Sequence, residues 1–470
     1  MDRQEAERLY ESGKTPTVEK LLEYDKENME LKEKIARLES NSRSSSKPPS
    51  SDSIRDRKER KGTKKINGRK PGGQPGHTGK KRELVPVDQV KEVIPCYPCE
   101  CTVCPHFTAC RKHHVVEDPF RWQVTETLPI TPEVTEYQVY TLCGRCGKVH
   151  RGVVPAEVGR SNFGPRLTAL SAFFTGVLHL PRRALKDCFQ TVFGVDLALG
   201  STQNLLEHTS GALQPIDQQL KDALPRQAVV NADESGWYRR WVWIFVATGF
   251  IYFHIAKSRG SEVLKQVLGE VYKGILGVDR WGAYTKYHKG LLQICWEHLK
   301  RDIRGIGDIG KKGGAREARA FARRMENLRK KLMAMWYRFK DGKLKRQQLI
   351  EQTEPIRQRI VKCLGDHRDS SERMVRSFAR RLWKLSPHLF TFIFHEGVEP
   401  TNNSSERGIR PAVIWRKICF GNRSDEGAVM TARLLTVTRT CWLQKRNALE
   451  FLVEAITAYR TSSPAPSLLS

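Results

Sequence analysis

Asp233, Asp279 and Glu406 each stand where a strand or helix of this 470-residue chain would end or begin, in settings that would place three carboxylates around one pocket. Carboxylates crowded together are costly to ionise unless a cation sits among them, and hard divalent ions with oxygen ligands meet that need. The chain carries 81 Lys and Arg against 52 Asp and Glu, a formal charge of +29. An acidic pocket inside a basic protein predicts metal-dependent chemistry on a polyanion, and nucleic acid is the leading candidate. A second chemistry-bearing group is the run PCYPCECTVCPHFTAC, Pro95 to Cys110, followed across two strand-like stretches by LCGRCG with Cys143 and Cys146. Paired CxxC knuckles flanking a hairpin are the ligand pattern of a structural Zn²⁺ ribbon. Cys101 and Cys104 are the preferred partners of Cys143 and Cys146. Cys96 and Cys99 are substitutes, because Cys96, Cys99, Cys101, Cys104 and Cys110 all compete. Four thiolates leave no open coordination position, so this metal would be structural rather than catalytic.

The elements that must position the acidic trio are legible as a change of pattern after Gln227. AVVNADESGW, RRWVWIFVATG and FIYFHIAKSRG are three β-rich runs joined tightly, and Asp233 ends the first. SEVLKQVLGEVY then reads as an amphipathic helix and KGILGVDRWGAY as a strand ending in Asp279. The order β-β-β-α-β puts the first and fourth strands side by side in a mixed sheet, as in the ribonuclease H architecture, so the two aspartates converge. Glu234 would point away if its strand continues and is left out of the pocket. Asn403 and Ser404 begin a helix, and Glu406 near its N-terminus would also relieve the helix dipole. Near the pocket, His298, Lys300 and Arg301 follow LLQICW, and Arg407 and Arg410 share the helix of Glu406, where they can meet phosphate oxygens. His298 reads equally as a phosphate contact or a core histidine, and the arginines equally as salt-bridge partners.

The remaining chain divides by composition. Residues 17–40 space Leu21, Tyr24, Asn28, Leu31, Ile35 and Leu38 three and four apart, a short coiled-coil seam or a lone amphipathic helix within residues 1–40. Residues 41–90 are rich in Ser, Pro, Gly and basic side chains and have almost nothing to bury, which predicts a disordered basic linker. Its GRKPGG stretch, with Arg69 and Lys70, lets backbone approach a DNA groove closely. The zinc-binding ribbon spans residues 91–155. Residues 156–225 read as helices, where VFGVDLALGSTQNLLEH, with a cap at Ser201 or Thr202, has helix-turn-helix spacing that a plain bundle accounts for as well. The catalytic domain covers residues 226–420, interrupted at about 302–394 by an all-α insertion. Leu328, Leu332 and Trp336 recur there at helical spacing, and the exposed faces are rich in Arg and Lys. Residues 421–470, from Ala428 to Arg460 above all, supply two covering helices. MDRQEAERLY lacks an apolar signal core, and the apolar run from Trp241 to Phe253 is too short and too β-branched for a membrane helix, which predicts a reducing, cytoplasmic setting with no membrane partner.

ADES at Ala232–Ser235, VDRWGAY at Val278–Tyr284, CWEHLKR at Cys295–Arg301 and TNNSSERGIRP at Thr401–Pro411 together resemble the blocks of the IS66 family of insertion-sequence transposases. GRKPGGQPGHTGK at Gly68–Lys80 and the paired CxxC elements are similar to that family's N-terminal and zinc-binding parts. The resemblance implies a DDE transposase that binds two Mg²⁺ or Mn²⁺ ions through Asp233, Asp279 and Glu406. It further implies double-stranded DNA as substrate, accessory proteins of the same element and residence at the nucleoid, while the N-terminal seam, read as a coiled coil, predicts a homo-oligomer. Ser235 stands where threonine is more usual, and Arg280-Trp281 where a glycine-containing turn is common. Two other functions compete: a zinc-stapled DNA-binding protein with a dead pocket, and a nuclease of the same fold that only hydrolyses.

Overall fold

The computed structural model describes residues 3–13, 15–24, 27, 31, 83–96, 118–155, 158, 161–312 and 315–469. The expected contributions of Arg69, Lys70, Cys99, Cys101, Cys104 and Cys110, and of Asn28, Ile35 and Leu38 in the N-terminal seam, lie outside these residues. The chain divides into two units, residues 58–131 and the rest. In the smaller, the described residues form no regular element apart from a single 3-10 turn at Val87–Gln89, and Gln123 holds the backbone of Val85 through both its amide oxygen and its amide nitrogen, each at 2.8 Å.

In the larger unit, helix α1 spans Arg3–Glu11 and the backbone is helical again over residues 15–24, interrupted at Gly13, whose φ of +106° suits glycine alone. A small hairpin pairs β1, Thr141–Cys143, with β2, Val149–Arg151. Helices α2 (Pro165–Gly176), α3 (Arg182–Phe193), α4 (Leu199–Ala212) and α5 (Gln214–Ala223) follow. Gly194 ends α3 in the left-handed region. The expected cap of α4 is displaced: the helix begins at Leu199 after Ala198, and Thr202 is inside it, with its hydroxyl bonded to the Leu199 carbonyl. Ser201 and Thr202 are plausible caps by type, yet the backbone turns earlier because a helical threonine can satisfy its own hydroxyl within the preceding turn.

The sheet forms where the β-rich pattern places it. Strands β3 (Val229–Trp237), β4 (Arg240–Val246) and β5 (Ile251–Ala256) are an antiparallel meander. Helix α6 (Ser261–Leu268) leads to β6 (Ile275–Val278), parallel to β3, and α7 (Gly282–Tyr287) leads to β7 (Leu292–Ile294), parallel to β6. The order β5-β4-β3-β6-β7 makes a mixed α/β sheet, with the first and fourth strands adjacent as expected. Trp243, Ile244 and Phe245 are fully buried in succession, so β4 is covered on both faces. Both edges are closed by side chains. Thr436 and Thr440 bond the backbone of Phe253 and Ile251 on β5, and on β7 the Leu292 N–H donates to His388 Nδ1 at 3.3 Å while its carbonyl accepts from the Thr391 hydroxyl at 2.5 Å. These edge groups are thereby satisfied within the chain rather than left open to another strand.

Between β7 and residue 402 the described chain contains helices and turns only: α8 (Trp296–Lys312), α9 (Arg316–Lys340), α10 (Arg346–Asp366), α11 (Arg373–Lys384) and the short α12 (Thr391–Phe394). Leu328, Leu332 and Trp336 are buried, as their spacing predicts. Helix α13 (Asn403–Cys419) packs on β3 and β4, α14 (Asp425–Leu443) lies along β5, and α15 (Ala448–Arg460) covers α2. Gly408 permits the close approach of α13, since a Cβ there would come within 2.5 Å of the Ile244 Cδ1.

Candidate active site

Asp233 and Asp279 meet because of strand register. The last paired residues of β3 and β6 are Asn231 and Gly277, and each aspartate lies two residues further along the chain. Asp279 stands just past the end of β6 as expected, but Asp233 does not end its strand: it lies mid-strand, paired with Ile244, because β3 continues to Trp237 in its hairpin with β4. Parallel neighbours at equal offset bring their side chains to the same end and the same face of a sheet. Helix α13 delivers Glu406 in its first turn.

Three tethers hold the segments in place. The buried Asn402, just before α13, donates its side-chain amide to the Ala232 carbonyl at 2.7 Å, next to Asp233. Its backbone N–H donates to the Cys295 thiol at 3.1 Å, at the start of α8. The Cys295 N–H in turn donates to the Val278 carbonyl at 2.9 Å, next to Asp279. The Asn402 oxygen accepts from Ser405, which fixes the entry to the helix of Glu406. Asn402 belongs to the quoted TNNSSER block, but only the fold reveals that it is the joint.

The electrostatics are those of an under-neutralised acidic cluster. Burial raises the Asp233 carboxyl well above its usual range, and the nearby charges of Glu234, Asp279 and Glu406 raise it further against the opposing Glu234 N–H. Burial also raises Asp279, against the Trp281 N–H and the cations Arg259, Arg280 and Arg301. Glu406 is raised by burial, with Arg301 opposing and Glu297 adding to the repulsion. Among the described residues the oxygens of the trio do not all close to within 4.8 Å of one another, whereas the donor atoms of Cys295, His298 and Glu406 do.

The basic residues divide by placement. Arg301 Nη2 and His298 Nδ1 each lie 3.4 Å from Glu406 Oε1. Burial, then Arg301 and Arg280, lower His298 to about 4, so the ring is neutral, and its buried Nδ1 is not aligned for a hydrogen bond. Lys300 is paired with Glu297 at 2.8 Å, and Arg407 and Arg410 are exposed along α13. Arg280, beside Asp279, pairs with Asp302. Glu234 follows the expected alternation onto the other face, but it is not idle. Only 1% of its side chain is exposed, it pairs with Arg259 at 2.7 Å, and it accepts from Tyr284. Nothing in the ADES tetrapeptide distinguishes this glutamate, because Arg259 and Tyr284 reach it from 25 and 50 residues away.

Of the cysteines, Cys143 and Cys146 are exposed at the hairpin turn, which closes through Gly144 N–H to the Lys148 carbonyl at 2.9 Å. Cys96 is exposed in the smaller unit. Among the described residues no helix is long and apolar enough to cross a membrane.

A sequence model of the transposase IS66 family matches residues 160–430, a span containing the acidic trio and the basic residues around it. A family of unknown function matches residues 4–83, which include Arg69 and Lys70. No curated protein matches the chain at a significant level. The first match covers more than half of the chain and all four blocks quoted above, and the chain belongs to the IS66 family of transposases, proteins that bind and rearrange DNA.

Proposed function

We propose that this protein is a DDE transposase with a ribonuclease H-like catalytic domain, in which Asp233, Asp279 and Glu406 hold divalent cations. The observation that carries the reading is the convergence of three half-buried, mutually repelling carboxylates from β3, the end of β6 and α13, tied together through Asn402 and Cys295. Their donor set is all oxygen, which suits hard ions, and its spread suits two cations about 4 Å apart better than one shared ion. Bound there, such cations supply Lewis-acid activation and charge neutralisation for in-line displacement at a phosphate. The strand order, with three antiparallel strands and a fourth parallel to the first, supports the ribonuclease H-like assignment.

The chain's own residues orient and bind. Arg301 offsets the Glu406 charge and faces the pocket, and the neutral His298 lies against the Glu406 carboxylate and brings no charge to DNA. Arg407 and Arg410, with Lys300, Arg69 and Lys70, supply cations for backbone phosphates. In the first reaction water attacks the phosphate at an element end and frees a 3′-hydroxyl. In the second that hydroxyl attacks a target phosphate, whose bond to the target strand's 3′-oxygen breaks as that oxygen leaves, and no bond to the protein forms.

The test is cleavage of labelled element-end DNA by the full chain with Mg²⁺, read as 3′ nicks and joined products. Asp233→Asn, Asp279→Asn and Glu406→Gln should each lose both products by at least about a hundredfold, with DNA binding retained. Nicks without joined products would instead indicate a nuclease. Cleavage surviving in any variant removes that residue from the pocket. Cys143 and Cys146 we assign to structural zinc, so Cys143→Ser with Cys146→Ser should lower the zinc content of the purified protein. Unchanged zinc content contradicts the assignment.

A further inference from the structure

One group of side chains beside the carboxylates has no part in holding cations. Arg259, in the turn before α6, sets its guanidinium 4.0 Å from the centroid of the Trp281 ring and 4.7 Å from that of Trp241. Its Nε and Nη2 donate to one oxygen of Glu234 at 2.8 and 2.7 Å, and the other oxygen accepts from the fully buried Tyr284. The Trp281 indole N–H donates to the Arg259 carbonyl at 3.3 Å, and the Trp281 backbone N–H donates to Asp279 at 2.7 Å. Trp281 is thus fixed at its ring and its backbone, yet 41% of its surface is open to solvent.

Packing alone gives a poor account of this arrangement. Burying the Arg259–Glu234 ion pair is costly, and an apolar cluster would fill the same space at lower cost. What the ion pair does achieve is a cation held against an indole. We infer that Trp281, braced by Arg259, is a stacking platform for an unpaired nucleobase next to the phosphate that reacts at Asp279. An exposed aromatic face in a strongly basic protein is the feature that takes single-stranded nucleic acid, and stacking contributes about 1–3 kcal/mol per base with little sequence preference. The short tether from Trp281 to Asp279 keeps a stacked base close to the reacting phosphate. Because the ring is already ordered, stacking costs little side-chain entropy. A paired base inside a duplex has both faces covered by its neighbours, so the platform selects unpaired ones.

The inference rests on the proposed catalytic site, and its test is run without divalent metal so that the two can fail separately. The probe is a duplex with a four-thymidine single-stranded extension carrying 2-aminopurine at the junction, compared with the blunt duplex. The full-length protein should prefer the extended duplex by about five- to a hundredfold and change the 2-aminopurine emission. Trp281→Ala and Trp281→Leu should bring the preference close to one and abolish the emission change, while Trp281→Phe should retain most of both. The leucine variant keeps apolar bulk over Arg259 without a π-face, which separates stacking from folding. If the leucine variant keeps the preference and the emission change, the platform is wrong. Cleavage lost in Asp279→Asn would leave the catalytic reading standing even then.

Discussion

Asp233 is the residue at which the unloaded site stores its instability. Free carboxylates ionise near pH 4, and burial together with Glu234, Asp279 and Glu406 holds the folded Asp233 proton well above that range. Between those two points the native state binds more protons than the unfolded chain, so stability falls as pH rises through the folded value. Asp233→Asn removes the penalty. In the metal-free protein its gain in melting temperature over the parent should be small near pH 4 and grow toward pH 8. Mg²⁺ should stabilise the parent at pH 8 and leave the variant unmoved. A gain that does not vary with pH would show that Asp233 ionises freely, and the crowding argument would fail.

At the scale of elements, the short segment before α13 matters more than any single helix. Asn402 joins that helix to β3 and, through Cys295, to β6 and α8. Asn402→Ala leaves the buried Ala232 carbonyl without this donor, a loss of about 1–3 kcal/mol in urea unfolding. It also frees the first turn that carries Glu406, so cleavage should fall much further than DNA affinity. Equal losses in both would mean that Asn402 supports the fold without positioning the site. The sequence disclosed these elements unevenly. The runs of β3, β4 and β5 are long and apolar enough to be read directly, and so is the helix before β6. Strand β7 escaped notice because Leu292–Ile294 offers too few residues for a period to show. The start of α4 was misplaced because Ser and Thr serve both as caps and within helices.

For the whole molecule, the formal charge is +29 while the candidate pocket is acidic, so attraction to phosphate must come from outside the site. Binding of duplex DNA should weaken steeply with salt, with a log–log slope of about −5 or steeper, since each neutralised phosphate contributes about −0.9. Arg407→Ala with Arg410→Ala should make that slope shallower by about two. A flat salt response would mean that the basic surface serves solvation alone.

The sequence by itself determined the parts whose information is local: the strand-forming runs, the helical insertion and the blocks that mark the family. Side-chain period and residue type are written within a few neighbouring positions, so no partner is needed to read them. Only the tertiary structure decided which distant groups complete the site. Asn402 against Ala232, Cys295 against Asn402, Glu234 between Arg259 and Tyr284, and the neutral His298 facing Glu406 all depend on contacts across many residues of chain, and burial, which sets their charge state, exists only once the sheet and helices have closed around them.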